Sequence, residues 1–376
     1  MRKAVHILWM VALAISVVSP TRSNAEDEHS QGAVFVMTND VDRNEVISYK
    51  RAADGSLQEN RRFATGGRGS GGNNDPLESQ GSLTPSEDHS LLFAVNAGSG
   101  DISVFQVQGA NLWLADKELS GGSEPNAIAQ HGSLVYVLNT GGSSSVVGFR
   151  LDQHGKLHQI PHSLSFLSTN TSGAASLAFS PNGQFLLVTE RETNSIDAFS
   201  VQNNGTLSPI VINPSAGPGV FALVFAPNGA ALAAETGPAG GNDASAISSY
   251  SVASDGKLTA ISTSVPTLGA ATCWNVVTPN GKWVYTSNAG TSNISGFTIA
   301  SNGALTALPG TIVGTNPTGA TNLDMAISAD GKFLYTLDAE VGMISVFGIQ
   351  SDGTLTNLGT VGGLPKAVGF NGIAAI

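Results

Sequence analysis

A unit of about 50 residues recurs along this chain, a period typical of four-stranded repeats. In its clearest copy, residues 179–183 read FSPNG, an apolar run follows, residues 195–199 read SIDAF, and residues 204–207 read NGTL. The same order returns, more or less strictly, along the rest of the chain. The seven copies begin near Phe35, Leu83, Ala127, Phe179, Leu223, Val277 and Ile327. Such a repeat predicts a fold assembled from equivalent small sheets.

Each copy carries the turn chemistry of an antiparallel sheet. An Asn-Gly or Asp-Gly pair between two apolar runs favours a tight turn from a first strand to a second, and a later pair turns the third strand into the fourth. The runs between these pairs have strand length and alternate with a period of two. The sequence therefore predicts an all-β chain, a seven-bladed β-propeller with four-stranded antiparallel blades.

The two ends of the repeat array complement each other. The N-terminal copy, residues 35–57, lacks a first strand, whereas residues 372–375 (GIAA) are similar to the first strand of other copies, such as residues 176–179 (SLAF). We expect the C-terminal strand to complete the first blade, because this closes the ring and removes two exposed sheet edges. An open solenoid is the alternative, but it needs capping repeats, and none is apparent.

The first 25 residues have the features of a signal peptide. Arg2 and Lys3 form a basic start, residues 7–18 are apolar, and residues 23–25 (SNA) fit a small-residue cleavage site. The apolar run is too short to be a membrane span. We expect an exported protein, periplasmic or extracellular, in which residues 1–25 are the signal peptide and residues 26–376 the propeller.

The net charge and the cysteine content limit the classes of partner and the kinds of chemistry that we expect. The formal net charge is −11, which argues against nucleic acid as a partner. Cys273 is the single cysteine, so an intramolecular disulfide is excluded. A thiol nucleophile is not expected either, because no histidine partner is evident. A small-molecule substrate is the expected partner.

Polar residues end the second strand of every copy, directly after apolar strand residues. They are Asn39, Asn96, Asn139, Glu190, Glu235, Asn288 and Asp338. The residues that open the first strands are Gln80, Asn126, Ser176, Ala222, Asn275, Asp324 and Gly372. Because the first two strands of a blade are antiparallel, we expect both sets at one mouth of the central channel, where rigid scaffolds place ligand sites. In the competing interpretation, the asparagines only shape turns.

The carboxylates among these residues suggest a catalytic role. Glu190 and Glu235 are candidate general bases, and Arg191 is a candidate for stabilising an oxyanion or gripping a substrate carboxylate. The candidate ligand-binding residues are Gln80, Asn96, Asn139, Trp274, Asn275, Asn288, Asp324 and Asp338. For Trp274, plain packing is the alternative. No cofactor is certain, and metal ligands stay unassigned. A Ca²⁺ ion is one candidate for compensating the clustered charge, since its ligands are carboxylate and amide oxygens.

Two insertions interrupt the repeats on the side of this mouth. Residues 68–80 (RGSGGNNDPLESQ) separate the first and second copies, and residues 236–246 follow Glu235. Loops of this length are either functional lids or solvated connections. We expect the first insertion to enter the mouth through Gln80.

Two blade phrases resemble those of a known family. Residues 180–188 (SPNGQFLLV) and 96–105 (NAGSGDISVF) are similar to phrases of the seven-bladed lactonase family, which includes propeller-type 6-phosphogluconolactonases and fungal carboxymuconate cyclases. The resemblance extends over residues 32–376. It implies the propeller fold and a hydrolase that acts on a lactone or a related ester.

One departure limits what the resemblance implies. Phosphogluconolactonase-like members typically carry Pro-His-Pro-His or a similar segment ahead of the first tight turn, whereas residues 172–176 here read SGAAS. A sugar-phosphate substrate is therefore not carried over. We expect an exported hydrolase of another lactone or ester, with a non-catalytic binding scaffold or a muconate-type cyclase as alternatives.

Overall fold

The computed structural model describes Met1 and residues 32–73, 75–238 and 244–376. The predicted signal peptide, except for Met1, and residues 239–243 of the second insertion lie outside the described residues. Every regular element in the described part is a β-strand. No helix there is long and apolar enough to cross a membrane.

The strands follow one another in regular succession. The first fifteen are β1 (Gly32–Met37), β2 (Glu45–Arg51), β3 (Leu57–Ala64), β4 (Leu83–Pro85), β5 (Leu91–Asn96), β6 (Asp101–Gln108), β7 (Asn111–Leu119), β8 (Pro125–His131), β9 (Leu134–Asn139), β10 (Ser145–Leu151), β11 (Leu157–Gln159), β12 (Ser165–Phe166), β13 (Ala174–Phe179), β14 (Phe185–Glu190) and β15 (Ser195–Ser200). The others are β16 (Val211–Pro214), β17 (Val220–Phe225), β18 (Ala231–Glu235), β19 (Ala246–Val252), β20 (Leu258–Pro266), β21 (Thr272–Val277), β22 (Trp283–Asn288), β23 (Asn293–Ile299), β24 (Leu305–Thr315), β25 (Asn322–Ile327), β26 (Phe333–Asp338), β27 (Met343–Ile349), β28 (Leu355–Gly362) and β29 (Ile373–Ala375).

These strands form seven antiparallel sheets, the blades of a ring. From the inner to the outer strand, blade 1 is β29-β1-β2-β3, blade 2 is β4 to β7, and blade 3 is β8 to β10 followed by β11. Blades 4 to 7 are β13 to β16, β17 to β20, β21 to β24 and β25 to β28. The predicted seven-bladed propeller is thereby confirmed. In blade 3 a second short strand, β12, also pairs with β10, so its outer position is divided between two strands.

The last strand of the chain closes the ring. Strand β29 pairs with β1 in antiparallel register, with Ala375 opposite Val34 and Ile373 opposite Val36. Ile373 and its neighbours in β29 are buried. The first blade thus combines the two ends of the chain, as the missing strand in the N-terminal copy predicts.

The tight turns between inner strands and their neighbours arise from local side-chain chemistry. In blade 4, Ser180 Oγ donates to Asn182 Oδ1 over 2.8 Å and accepts the backbone N–H of Phe185 over 3.0 Å. Gly183 completes the turn at φ = +68°, a conformation that costs glycine little. The repeated Ser-Pro-Asn-Gly phrase is therefore a turn module that sets the register of β13 against β14.

Tyrosine hydroxyls fasten blades to their neighbours. In each case a tyrosine of a second strand donates to the backbone carbonyl of a turn glycine in the next blade. The pairs are Tyr136 with Gly205, Tyr285 with Gly353 (2.7 Å) and Tyr335 with Gly55 (3.3 Å). The last pair joins blade 7 to blade 1 across the ring closure.

Residue 55, in the turn between β2 and β3 of blade 1, must be glycine for two reasons. Gly55 has φ = +88°, and a Cβ atom there would lie 2.4 Å from the ring of Phe333 in blade 7. At the same seam, Arg51 of blade 1 is buried, with its guanidinium carbon 5.3 Å from the centroid of the Phe333 ring and Nη2 3.3 Å from Asp330 Oδ2. Close backbone approach and a partly buried ion pair therefore stabilise the joint between the last blade and the first.

Removing apolar volume from the closing strand tests this architecture. We expect Ile373→Ala to lower the free energy of unfolding by about 2–5 kcal/mol, the usual cost of truncating a buried aliphatic residue. Leu358→Ala, in the outer strand of blade 7 where the side chain is about half exposed, is the matched control and is expected to cost under about 1 kcal/mol. Urea unfolding measures both. Equal costs would contradict a structural role for β29.

Candidate functional site

The polar residues that end the second strands lie inside the blades rather than around an opening. All seven are at most 1 % exposed: Asn39, Asn96, Asn139, Glu190, Glu235, Asn288 and Asp338. Asn96 illustrates the reason, because its Oδ1 accepts hydrogen bonds from Asn44 Nδ2 (2.9 Å) and Thr65 Oγ1 (2.6 Å) of the chain preceding its blade. The second strand lies behind the inner strand, so its end faces the seam between neighbouring sheets.

A serine seven residues further along repeatedly completes these interactions. Asn96 donates to Ser103 Oγ and Asn288 donates to Ser295 Oγ, both over 2.8 Å, and Ser345 donates to Asp338. Asn139 instead donates to the backbone carbonyl of Ser120 over 3.4 Å. These polar residues therefore tie second strands to third strands and to the linkers between blades.

Glu235, a predicted general base, is enclosed by donors. Its Oε1 accepts the backbone N–H of Gly217 (3.0 Å) and Ser248 Oγ (2.6 Å), and its Oε2 accepts Ser264 Oγ (2.7 Å). Both oxygens of this buried carboxylate are therefore engaged by donors of its own blade and of the linker that precedes the blade.

Glu190, the other predicted base, has a comparable cage and one unusual neighbour. Ser168 N–H, Ser168 Oγ, Thr193 Oγ1 and Ser195 Oγ all donate to it. Burial acts to raise the pKa of Glu190, but the hydrogen bonds from Ser168 and Thr193 outweigh burial and the pKa is lowered. The structure thus keeps Glu190 ionised inside the wall of blade 4, away from the channel.

Asp197 occupies the position that serine fills in other blades. It is fully buried, and burial together with the charge of Glu190 raises the pKa of Asp197 to about 8. A protonated Asp197 supplies Glu190 with a hydroxyl donor, as Ser345 does for Asp338. Blade 4 therefore holds a buried pair of carboxyl groups that carries one charge at neutral pH.

The mouth of the channel is built by the first insertion. Gln80 donates from Nε2 to the carbonyl of Asn275 and accepts the N–H of Asn275 at Oε1, both over 3.0 Å. Trp274 Nε1 donates to the carbonyl of Ser79 over 3.0 Å. Blades 2 and 6 are separated by three steps around the ring, so the insertion crosses the channel. Gln80 precedes β4 by three residues instead of opening it, and its backbone N–H bonds to Ala175 of blade 4.

Below the insertion, the channel contains a cavity of about 520 Å³. Inner strands of blades 2 to 5 line it, with Gln80 at one end and the turns around His131, Pro181 and Pro227 at the other. Most of its wall is apolar, including Phe179 and Phe225. The crossing at Gln80 therefore separates this cavity from the polar mouth.

Two carboxyl groups with strongly raised pKa values lie at the mouth. Burial raises the pKa of Asp75 to about 7, although a 2.8 Å hydrogen bond from Asn371 Nδ2 acts in the opposite direction. Burial also raises the pKa of Asp324 to about 7, with the charge of Asp75 adding to the effect. The charge of Asp75 acts on Asp324, so the titrations of the two groups are coupled. Asp324 has φ = +23°, a strained conformation for a residue with a side chain.

Arg191 faces this pair from blade 4. Its Nη2 lies 2.7 Å from Glu78 Oε2 and 3.1 Å from Glu192 Oε1, and its side chain is 30 % exposed. Its charge acts on Asp75. The neighbouring thiol of Cys273 has a raised pKa, chiefly because of burial, and so stays protonated. The adjacent residues Glu190 and Arg191 thus point to different places, one into the blade and one to the mouth.

The structure therefore divides the predicted site residues into two groups. Gln80, Arg191, Trp274, Asn275 and Asp324 meet at the mouth. Asn96, Asn139, Glu190, Glu235, Asn288 and Asp338 lie in the blade walls. Sequence reasoning did not assign roles to Asp75, Glu78 or Asn371. The only signal for Asp75 and Glu78 was the length of the first insertion, since nothing in the repeat indicates which insertion residues enter the channel, and no signal pointed to Asn371.

The donor set does not favour a metal centre. Among the described residues, no three His, Cys, Asp or Glu side chains converge in a way that could hold a metal ion. Glu190 and Glu235, which the Ca²⁺ hypothesis relied on, already use their oxygens to accept hydrogen bonds. Hydroxyl and amide donors compensate the buried carboxylates of the blades.

The pair Glu190 and Asp197 in blade 4 leads us to predict how the stability of the protein depends on pH. The folded pKa of Asp197, about 8, exceeds its unfolded value, so its contribution to stability is present at low pH and is lost as pH rises through about 8. Asp197→Asn keeps a neutral donor beside Glu190 and removes this titration. We expect the stability of the variant relative to wild type to rise between pH 5 and pH 9 by on the order of 4 kcal/mol, since wild type loses about 1.4 kcal/mol per unit of pH up to the pKa of Asp197.

Urea unfolding at the two pH values measures this difference. Asp42→Asn, at an exposed loop position, is the matched control and is expected to follow wild type at both. A variant Asp197→Asn with the same pH dependence as wild type would show that Asp197 is ionised in the folded protein.

Comparison with known proteins places the chain in a family. The model of the family described as "Lactonase, 7-bladed beta-propeller" matches residues 23–274 and 275–370. No curated protein matches the chain significantly.

Solved structures with this fold are similar over nearly the whole chain. A candidate 6-phosphogluconolactonase from Bacteroides uniformis has a TM-score of 0.67 at 20% sequence identity, covering 92% of this chain and 100% of that one. The periplasmic gluconolactonase of Pseudomonas aeruginosa has a TM-score of 0.66 at 17% identity, covering 91% and 99%. These likenesses show a shared fold, and the family match extends over most of the chain. The chain belongs to the lactonase family of seven-bladed β-propellers.

Proposed function

We propose that this protein hydrolyses a lactone or a related ester at the channel mouth, with Asp75, Asp324 and Arg191 as the reacting groups. The observation that carries the proposal is the pairing of two carboxyl groups with pKa values of about 7 beside an arginine. Strongly shifted pKa values in a cleft are typical of catalytic groups. Family membership supports the reaction class.

The carboxyl pair has the properties of a general acid and base. At neutral pH the pair holds about one proton, so one group can accept a proton from water while the other can donate one. The water oxygen attacks the lactone carbonyl carbon as its proton passes to the carboxylate. The ring C–O bond then breaks, and the leaving oxygen takes a proton from the pair. Water and lactone become a hydroxy acid.

Arg191 is placed to bind the charge that this reaction creates. Its guanidinium is held by Glu78, whose carboxylate lies 2.7 Å away and stands in for the carboxylate of a hydroxy-acid product. A substrate that displaces Glu78 would place its carbonyl oxygen at the same donors, where developing negative charge is stabilised. The roles predicted for Glu190 and Glu235 are thus proposed for Asp75 and Asp324.

The proposal predicts large losses of activity at the mouth. With glucono-δ-lactone and γ-butyrolactone as substrates, we expect Asp75→Asn, Asp324→Asn and Arg191→Ala to lower kcat/KM by at least about 100-fold. Asp42→Asn and Arg62→Ala, both at exposed positions, are the matched controls and should retain wild-type rates. A pH-stat assay, corrected for spontaneous hydrolysis, measures all of them. Activity that survives in Asp324→Asn would contradict the assignment of the pair.

The pH dependence of the rate is a separate prediction. The base must be ionised and the acid protonated, so kcat/KM should rise about tenfold per unit of pH below the first pKa of the pair and fall again above the second. The Asp324→Asn variant should lose this pH dependence of kcat/KM. A rate that falls as pH rises from 5 to 7 would contradict a carboxylate base.

A non-catalytic binding scaffold is the second candidate, and the filled mouth favours it. The first insertion already occupies the groups that a substrate would need: Arg191 bonds to Glu78, Trp274 to Ser79 and Asn275 to Gln80. Access of a substrate therefore requires displacement of the insertion. The scaffold is supported if wild-type protein hydrolyses neither lactone. Wild type should then also fail to close either hydroxy acid in the reverse direction, as a cyclase-type enzyme would.

Export is also proposed. The basic start, the apolar run of residues 7–18 and the small residues at 23–25 support a cleaved signal peptide. Mass spectrometry of protein recovered from the periplasm or medium is expected to show a mature chain that begins near Glu26. Recovery of uncleaved chain from the cytoplasm alone would contradict export.

A further inference from the structure

A second groove lies on the face of the propeller opposite the mouth. It has a volume of about 870 Å³, within the usual range of small-molecule sites. One wall comes from blade 2, including Leu91, Gln106 and Trp113, and the other from the ends of strands in blade 3, including Gln130 and Asp152. None of these residues takes part in the site proposed above.

The wall in blade 2 is a flat row of side chains across three strands. Gln106 pairs directly with Leu91 of β5 on one side and with Trp113 of β7 on the other. Directly paired residues project from the same face of a sheet, as do residues two apart on one strand. Gln108 therefore joins this face, which presents an indole between amide groups.

Trp113 departs from the repeat at its position. It follows the leucine that comes after the last turn of each blade, and the residues that follow the equivalent leucines are Gln58, His158, Ser208, Thr259, Thr306 and Thr356. Half of the Trp113 surface is exposed. Its indole N–H and the side-chain amides of Gln106 and Gln108 make no hydrogen bond with any described residue. A large exposed indole where every other blade has a polar side chain, beside two free amides, points to a ligand rather than to packing.

The polar groups of the groove are partly fixed in advance. Asp88 Oδ1 accepts hydrogen bonds from Ser86 Oγ (2.6 Å), Ser90 N–H (3.0 Å) and Ser90 Oγ (2.7 Å), and these bonds lower the pKa of Asp88 to about 2. Glu87 Oε2 accepts the N–H of Gly132 over 3.0 Å. Carboxylates held in this way accept further hydrogen bonds from ligand hydroxyls at low entropic cost.

The charge of the groove limits the ligand. Glu87, Asp88 and Asp152 line it, whereas no lysine or arginine is among the described lining residues. Uronic acids and phosphates are therefore disfavoured by repulsion. A pyranose ring has a C–H face that stacks on an indole and hydroxyl groups at its rim that bond to amides and carboxylates. We propose that this groove binds a neutral oligosaccharide.

Binding of defined oligosaccharides to the mature chain tests the proposal. Calorimetric titrations with maltohexaose, cellohexaose and xylohexaose are expected to show saturable binding of at least one. Trp113→Thr, which restores the residue found in blades 5 to 7, should weaken that binding at least tenfold, and Trp113→Phe should recover part of it. Leu114→Thr, a change to the same residue at the next position of β7, which is half exposed on the opposite face of the sheet, is the matched control and should bind as wild type does.

Other outcomes would overturn the proposal. They are the absence of saturable binding with all three neutral probes, equal binding by Trp113→Thr, and preferred binding of an acidic oligogalacturonate or of the polyamine spermine. Far-UV circular dichroism and the urea midpoint establish that the variants are folded. Hydrolysis of lactones is expected to be unchanged in Trp113→Thr, so failure at this groove is distinguishable from failure at the mouth.

Discussion

The structure depends on the packing of each blade against the next around a closed ring. A single four-stranded sheet of this chain cannot bury both of its faces, so each blade needs neighbours on two sides. The pairs of tyrosine hydroxyls with turn glycines, and the seam of Arg51, Asp330 and Phe333, show how closely the sheets approach. Because β29 completes blade 1, the ends of the chain are part of the same packing and no sheet is left without a partner.

Closure also explains why so many polar groups are buried. Each blade must be joined to the next, and the linkers carry backbone groups that need partners. Residues at the ends of the second strands help to satisfy these groups: Glu235 accepts the backbone N–H of Gly217, and Ser103, which bonds to Asn96, donates to the carbonyl of Thr65. A carboxylate and an amide both serve at this position, since each accepts hydrogen bonds from the linker. This structural role accounts for the recurrence of polar residues at this position.

The site at the mouth arises from departures from the repeat. Inner strands from all blades meet there, but the groups with shifted pKa values come from an insertion, Asp75, and from one strained strand position, Asp324. Arg191 was identified from the sequence because it follows a strand end, and it reaches the mouth while its neighbour Glu190 turns inward. Adjacent residues at a strand end project to opposite sides of the sheet, so the order of residues alone did not reveal which side faced the channel.

The sequence by itself determined the number of blades, the turns that begin and end their strands, and the closure by the C-terminal segment. These features depend on local turn chemistry and on a period that can be read along the chain. Tertiary structure alone decided which polar residues are enclosed, where the first insertion crosses the channel, and that Trp113 stands beside Gln106 in an open groove. Such facts depend on burial and on contacts between residues far apart in sequence, such as Gln80 and Asn275. The physical reason is that the pKa and the exposure of a side chain depend on its neighbours, and only the closed ring brings those neighbours together.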